Sequence, residues 1–256
     1  MAVALILSSH VAASRVGGSV QVAALERMGV EARLVPTVLF GRHPGLGAPG
    51  GGPVPDATFE GVLAGVAQAG LADVDVMICG YFASPGQVGA ATRAVAAVRQ
   101  ASPAARILVD PIMGDQETGL YVSEPMAAAI AGNLVPLADI LAPNAWELAR
   151  LAGRTVVDLA SAHAAAKALG PTVVVSSVPL GEEIGVLLAE PSGTLLARHA
   201  RLGAAPRGTG DLLSAIFAGG LAQGLSSADA LAAAVAETAA FAAGGPVEIV
   251  LERLDG

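Results

Sequence analysis

Gly208-Thr209-Gly210-Asp211, followed at once by Leu212-Leu213-Ser214-Ala215-Ile216-Phe217, is the stretch on which the reading of this chain turns. Glycines directly before an apolar helical run let backbone N–H groups converge, and the helix N-terminus adds partial positive charge. That combination suits a phosphate. An acidic side chain in such a turn would repel the anion, unless the carboxylate takes a proton from a hydroxyl that attacks it. An Asp cap after a glycine turn accounts for the tetrapeptide alone equally well.

Upstream of this turn, short β-rich runs alternate with longer Ala-rich segments. Strands are expected at residues 2–7, 32–38, 74–79, 106–109, 140–141, 172–176, 184–189 and 194–200. Helices are expected at 17–28, 58–69, 87–100, 126–134, 145–151 and 159–169. The first strands are continuously apolar, as parallel strands covered on both faces are. The alternation predicts an α/β fold: an open, mostly parallel central sheet flanked by helices on both faces. Glu190-Pro191-Ser192-Gly193 reads as a hairpin turn, which makes its two flanking strands a local antiparallel edge. Two long helices close the chain, the second opened by Ser226 three residues before Asp229, an N-cap pattern. No internal repeat and no dividing linker is visible, so residues 1–256 are expected to form a single domain. Residues 41–55 are rich in Gly and Pro and too long for an ordinary connection; they read as a mobile flap over a site or a disordered insertion.

Composition excludes several classes. Although 54% of residues are hydrophobic, the most apolar stretches, 212–225 and 231–243, are interrupted by Gln223 and Glu237. Neither reaches the roughly 18 strongly apolar residues of a membrane span. Their small residues suit close helix packing instead. With 14 basic against 22 acidic residues, the formal charge of −8 argues against a nucleic-acid surface, which needs clustered Lys and Arg. The single cysteine, Cys79, excludes an internal disulfide framework and reads as a buried thiol. No basic residue precedes the opening Val3-Ala4-Leu5-Ile6-Leu7 run, so it does not read as a signal peptide, and a cytoplasmic location is expected.

Ligands of open α/β sheets bind beyond the carboxyl ends of the strands. Asp110-Pro111-Ile112-Met113-Gly114-Asp115 stands at such an end, where two carboxylates can hold Mg²⁺ through water and face polyphosphate; a polar proline turn is the plainer alternative. In Pro143-Asn144-Ala145-Trp146-Glu147, Asn144 and Glu147 sit three apart at a helix start, so both can turn toward one ion, and capping explains them equally well. Ser9 and His10 end the first strand before the Gly17-Gly18-Ser19 turn, and Tyr81, after Gly80, is either a stacking ring or a core tyrosine. No Walker-type phosphate loop and no Cys/His metal spacing occurs.

In their order along the chain these turns, with Pro136-Leu137-Ala138-Asp139-Ile140, resemble the ribokinase-like superfamily. Ser9-His10-Val11, Gly17, Thr37-Val38-Leu39-Phe40 with His43, and Gly80-Tyr81 resemble its vitamin B6 kinase branch, the pyridoxal kinases. The resemblance runs from Ile6 to about Gly224. It implies a ribokinase-like sheet without a separate β-lid domain, a homodimer, and MgATP-dependent phosphorylation of the 5′-hydroxyl of pyridoxal, with pyridoxine and pyridoxamine as further substrates. K⁺ is an optional further cation. It further implies Asp211 as base, Gly208, Thr209 and Gly210 as anion hole, and Ser9, His43, Tyr81 and Asp211 around the vitamin. Asp110, Asn144, Glu147, Ser176 and Ser177 would meet the nucleotide, and Asp115 and Glu147 the Mg²⁺. Three features depart from the pattern. Gly18 replaces the usual Asn, Pro44 stands where a Thr hydroxyl usually meets substrate, and Leu46-Gly47-Ala48-Pro49-Gly50-Gly51-Gly52 replaces an aromatic- and Lys-containing flap. Two other readings stay open: a hydroxymethylpyrimidine kinase of the same fold, and a non-catalytic carrier of pyridoxal phosphate.

Overall fold

A computed structural model describes residues 1–170, 172–203 and 206–254. Its strands are β1 (Val3–Val11), β2 (Glu31–Phe40), β3 (Gly51–Pro53), β4 (Val76–Cys79), β5 (Arg106–Val109), β6 (Gly114–Asp115), β7 (Gly119–Leu120), β8 (Ile140–Leu141), β9 (Thr172–Leu180), β10 (Glu183–Glu190), β11 (Gly193–Ala200) and β12 (Val250–Leu254). Its α-helices are α1 (Gly17–Arg27), α2 (Asp56–Ala69), α3 (Pro85–Ala101), α4 (Glu124–Ala129), α5 (Ala145–Ala152), α6 (Leu159–Leu169), α7 (Thr209–Ala222) and α8 (Ser227–Ala243).

One sheet runs in the order β12-β11-β10-β9-β8-β5-β4-β1-β2-β3. From β2 to β9 every pair is parallel. At one edge β10, β11 and β12 continue antiparallel, and at the other β3 does so against β2. The expected hairpin is the β10–β11 pair. Alternation along each inner strand divides the apolar side chains between two faces. Val3, Leu5 and Leu7 of β1 join the core beneath α2 to α6, whereas Ala4 and Ile6 join the core beneath α1, α7 and α8. Because the inner strands are parallel, their carboxyl ends lie along one edge of the sheet. That edge carries the site.

Small residues let the second layer close. A Cβ built on Gly219 of α7 would lie 2.8 Å from Leu25 of α1, and one on Gly220 would lie 3.1 Å from Ala230 of α8. The Ala- and Gly-rich composition thus serves helix contact, and among the described residues no helix is long and apolar enough to cross a membrane. Cys79 is fully buried and its thiol is pushed up to about 12 by desolvation, so it is inert at neutral pH.

The structure adds what the sequence pattern did not show. Residues 41–55 are not a disordered insertion; they hold a short 3₁₀ turn, Pro44–Leu46, and β3, which pairs Val38 with Pro53 and Phe40 with Gly51. Gly51 adopts a φ of +78°, and a Cβ there would collide with the Leu39 carbonyl. β6, β7 and β12 lie outside every expected strand, and the helix expected at 126–134 is α4 followed by a π-helical turn, Ile130–Leu134. The Ser226 hydroxyl caps α8 as expected, accepting from the Asp229 N–H at 3.1 Å.

The flap is anchored through one fully buried amide. Gln87 of α3 donates to the Thr37 carbonyl at 2.9 Å and the Val54 carbonyl at 2.8 Å, and accepts from the Ala83 N–H at 2.9 Å. The Thr37 hydroxyl in turn donates to the Tyr81 carbonyl at 2.7 Å. Replacing Gln87 with Leu leaves the Ala83 N–H and the Val54 carbonyl unpaired, each costing about 1–3 kcal/mol, while the Thr37 carbonyl keeps the Val54 N–H at 2.9 Å. The expected outcome is a loss of roughly 3 kcal/mol in urea unfolding, and a loss below 1 kcal/mol would mean that the flap is held elsewhere.

Candidate functional site

α7 starts at a residue that only glycine fills comfortably. Gly208 has a φ of +90°, and a Cβ there would collide with the Arg15 carbonyl. No side chain caps the helix, so the first N–H groups of α7 face outward without side-chain partners. α1 starts beside it under the same condition, with Val16 at its cap position and no side-chain cap. Asp211 lies in the first turn of α7, not at its cap, and turns its carboxylate across to the other helix. Its Oδ2 accepts from the Gly17 N–H at 2.8 Å. Its Oδ1 is buried with no hydrogen-bond partner among the described residues. Burial raises the carboxyl pKa from 3.8 to about 6, and the Gly17 hydrogen bond partly offsets that rise. The plain capping reading therefore does not describe this carboxylate.

Glycine at the start of α1 is required by the approach of Ser9. A Cβ on Gly17 would collide with the Ser9 hydroxyl, and one on Gly18 would collide with Leu34 and stand 2.9 Å from the Ser9 carbonyl. The departure at Gly18 thus follows from local packing. Ser9 is nearly buried, with no side-chain partner among the described residues. Tyr81 is partly buried, and desolvation raises its phenol pKa. Gly80 before it sits where a Cβ would stand 2.7 Å from the Ser8 hydroxyl. His43 caps the flap turn, its ring Nδ1 accepting from the Gly45 N–H at 2.9 Å. Burial and the neighbouring Arg207 charge lower the His43 pKa, which favours the neutral imidazole.

Next along the strand ends lie the other acids. Asp110 is buried, accepts from the Ser214 hydroxyl of α7 at 2.7 Å, and has its pKa raised well above normal by burial and by the Glu147 and Asp211 charges. Ser214, one turn after Asp211, is the residue that sequence reasoning passed over; its i+3 spacing on α7 is the signal. Glu147 forms the capping box of α5 with Asn144. One carboxylate oxygen accepts from Met113 N–H at 2.7 Å and from Gly114 N–H at 3.3 Å, and the other from Asn144 N–H at 3.0 Å. Burial nevertheless raises its pKa to about 7. Asn144 donates to the Gly114 carbonyl at 2.8 Å. The capping reading of this pair is what the structure shows, with the Asp110–Asp115 turn as the thing held.

Asp115 accepts from the Thr118 N–H at 2.6 Å and the Glu117 N–H at 3.0 Å, closing the β6–β7 turn. Among the described residues no three His, Cys, Asp or Glu side chains converge as a ready metal cage. Ser176 bridges to Asn144, and Ser177 stands at a φ of +59° where β9 carries one residue more than β10 opposite it. That bulge re-aims the serine pair at the end of the sheet. Strain shows also at Ile112, a β-branched residue with a φ of +41° between Asp110 and the Met113–Gly114 N–H groups that meet Glu147.

Sheet order and the arrangement around Asp211 define a ribokinase-like α/β protein. A family model described as phosphomethylpyrimidine kinase matches residues 68–243. Pyridoxal kinase PdxY of Corynebacterium diphtheriae is 35% identical over 237 residues, covering 89% of this chain and 84% of that one. Pyridoxal kinase from Entamoeba histolytica superposes with a TM-score of 0.90 at 21% identity, covering 99% of both chains. Pyridoxal kinase from Leishmania donovani, solved in complex with ADP, gives 0.83 at 26% identity, over 93% of this chain and 85% of that one. The chain belongs to the phosphomethylpyrimidine kinase family, in which it is similar to the pyridoxal kinases.

A stability test isolates the electrostatics of Asp211. Its native pKa lies above its unfolded value, so the folded state binds the proton more tightly. Stability is therefore complete below pH about 4, falls as the pH rises toward about 6, and stays lower above it. Asp211→Asn keeps the oxygen that meets Gly17 and removes the buried charge. Above pH about 7 the variant should be more stable than wild type by roughly 1–3 kcal/mol, with the gap closing below pH about 4. A gap that is absent at pH 8 or independent of pH in thermal unfolding would mean that the carboxylate is not desolvated.

Proposed function

We propose that this chain transfers the γ-phosphoryl group of ATP to the 5′-hydroxyl of pyridoxal, and also of pyridoxine and pyridoxamine, as a vitamin B6 salvage kinase. One observation carries the reading: Asp211 holds one oxygen on the Gly17 N–H and keeps the other buried and unpartnered beside the uncapped start of α7. A carboxylate so placed, with a pKa of about 6, is ionised at neutral pH yet basic enough to accept a proton from an attacking hydroxyl. The names of the 35%-identical relatives, pyridoxal kinase and pyridoxine/pyridoxal/pyridoxamine kinase, support the substrate.

In this reading Ser9, His43 and Tyr81 hold the vitamin so that its hydroxyl points at Asp211 Oδ1. The N–H groups at Gly208, Thr209 and Gly210 take the charge that gathers on the transferred group. ATP lies along Asp110, Asn144, Glu147, Ser176 and Ser177. The raised pKa values of Asp110 and Glu147 mark a place short of a cation, and a Mg²⁺ that keeps its water and phosphate ligands fits there. Bound Mg²⁺ would supply neutralisation of phosphate charge, with Asp110 and Asp115 as its protein contacts. Glu147, whose oxygens both accept backbone N–H groups, would hold the Met113–Gly114 turn that presents them. K⁺ is a further cation for the same phosphates. The same reading takes residues 1–256, of which 171, 204, 205, 255 and 256 lie outside the described residues, as one domain of a cytoplasmic homodimer without nucleic-acid or membrane partners.

The family model's description, phosphomethylpyrimidine kinase, favours a pyrimidine as second substrate, so a turnover panel of hydroxymethylpyrimidine, its phosphate and the three B6 vitamers with MgATP decides between them. The decisive variant is Asp211→Asn. It should lower kcat by about two to four orders of magnitude, the usual effect of losing a general base, while the dissociation constants of pyridoxal and ATP change little. Wild type that binds pyridoxal phosphate tightly and turns over no vitamer would instead identify a carrier.

A further inference from the structure

Arg207, the residue directly before Gly208, lies beside His43. Its side chain does not run back along its own loop; it crosses to the flap. A Cβ built on Gly45 would lie 2.7 Å from its Cζ and 2.8 Å from both terminal nitrogens, so the guanidinium lies flat against the Pro44–Leu46 turn. Six arginines, Arg27, Arg33, Arg93, Arg99, Arg150 and Arg198, each pair with a carboxylate, whereas among the described residues Arg15, Arg42, Arg106, Arg154, Arg201 and Arg253 do not, and what sets Arg207 apart is its place between flap and α7. Among the described residues Arg207 is in no ion pair, and its side chain is in no hydrogen bond.

Arg207 is exposed, so in the resting protein its donors face solvent. A helix start carries partial positive charge and stabilises anions, and a cation one residue before it is repelled. The first turn of α7 has no capping side chain to soften this. Flap residues 46–52 bring no charge of their own, and Arg42, the other flap cation, is occupied with the Ala48 carbonyl at 2.9 Å. An anion between the α7 start and the flap would satisfy both the free guanidinium and the unpartnered N–H groups. A fork of donors suits a phosphoryl group, which offers oxygens in pairs.

We propose that Arg207 grips the γ-phosphoryl group of the bound nucleotide and holds it through transfer, joining the flap to the anion hole. This rests on the phosphotransfer reading above. In the step, the 5′-oxygen forms its bond to the γ-phosphorus as the bond from that phosphorus to the β,γ-bridging oxygen breaks. The electron pair leaves on the β-phosphate, and the hydroxyl proton goes to Asp211 Oδ1. Arg207 neither gives nor takes a proton. It balances charge on the equatorial oxygens and, by lying on Gly45, makes that balance depend on a closed flap.

The test compares two nucleotides in titration calorimetry on the full-length protein, wild type and Arg207→Gln. AMP-PCP carries a γ-phosphoryl group and ADP does not. AMP-PCP affinity should fall about tenfold while ADP affinity changes less than twofold. In the coupled assay kcat should fall about a hundredfold, and guanidinium ion in millimolar amounts should restore part of the rate to Arg207→Ala. An equal loss for both nucleotides would make Arg207 a prop of the turn, and no loss for either would remove it from the site. Both results overturn the inference. Wild type that binds AMP-PCP but phosphorylates no vitamer would refute the substrate reading alone, because the nucleotide comparison still decides Arg207. Wild type that binds neither nucleotide would refute both.

Discussion

The hydrogen bond from the Gly17 N–H to Asp211, 2.8 Å long and joining residues 194 positions apart, is the constraint on which the rest of this structure depends. It ties the start of α1 to the first turn of α7, two helices on one face of the sheet. The bond fixes one carboxylate oxygen and thereby aims the other. It can form only because Gly17, with a φ of +56°, lets the Ser9 hydroxyl lie against its Cα. Gly219 brings α7 close enough to α1 along the remaining length, where any side chain would press on Leu25. Four glycines, at 17, 18, 208 and 219, therefore act together on a single carboxylate.

A second set of contacts organises the acids around that carboxylate. Glu147 spends its two oxygens on three backbone N–H groups, which pins the Asp110–Asp115 turn over α5. Asp110 is reached from the opposite side by Ser214 of α7. The sheet's carboxyl edge is thus clamped between a helix from each layer. Three buried carboxylates within one another's fields are held far from their ordinary ionisation, Asp110 most of all. Such an arrangement is costly in an empty protein and suits one that binds a cation and a polyphosphate together.

Much of this was legible in the sequence, for physical reasons that particular residues show. The runs at 106–109 and 140–141 coincide with β5 and β8, because Ile107, Leu108, Val109, Ile140 and Leu141 are buried on both faces, and the exposed Arg106 marks where β5 enters the sheet. The turn residues Asp110, Asn144, Tyr81 and Asp211 follow strands or open helices, which marked them as candidates, and their roles were implied by the family resemblance. What stayed hidden depends on contacts between distant segments. β3 is Gly-Gly-Pro, which no propensity marks as a strand, and it exists because β2 offers an open edge. Glu147 could be a ligand or a cap by spacing, and its hold on the Met113 N–H, which spacing does not show, appears only in the fold. Ser214 and Arg207 look like ordinary helix and loop residues until Asp110 and Gly45 arrive beside them.

The account's central claim, that Asp211 works as a base with a pKa of about 6, is tested most directly by the pH dependence of kcat/KM for pyridoxal at saturating MgATP. This parameter reports the ionisation of the enzyme before the vitamin binds. The account predicts a logarithmic profile that rises with unit slope at low pH, bends near pH 6 and is level above it, with the bend absent from the residual rate of Asp211→Asn. A wild-type profile that is flat from pH 5 to 8, or a bend that persists in the variant, would contradict it.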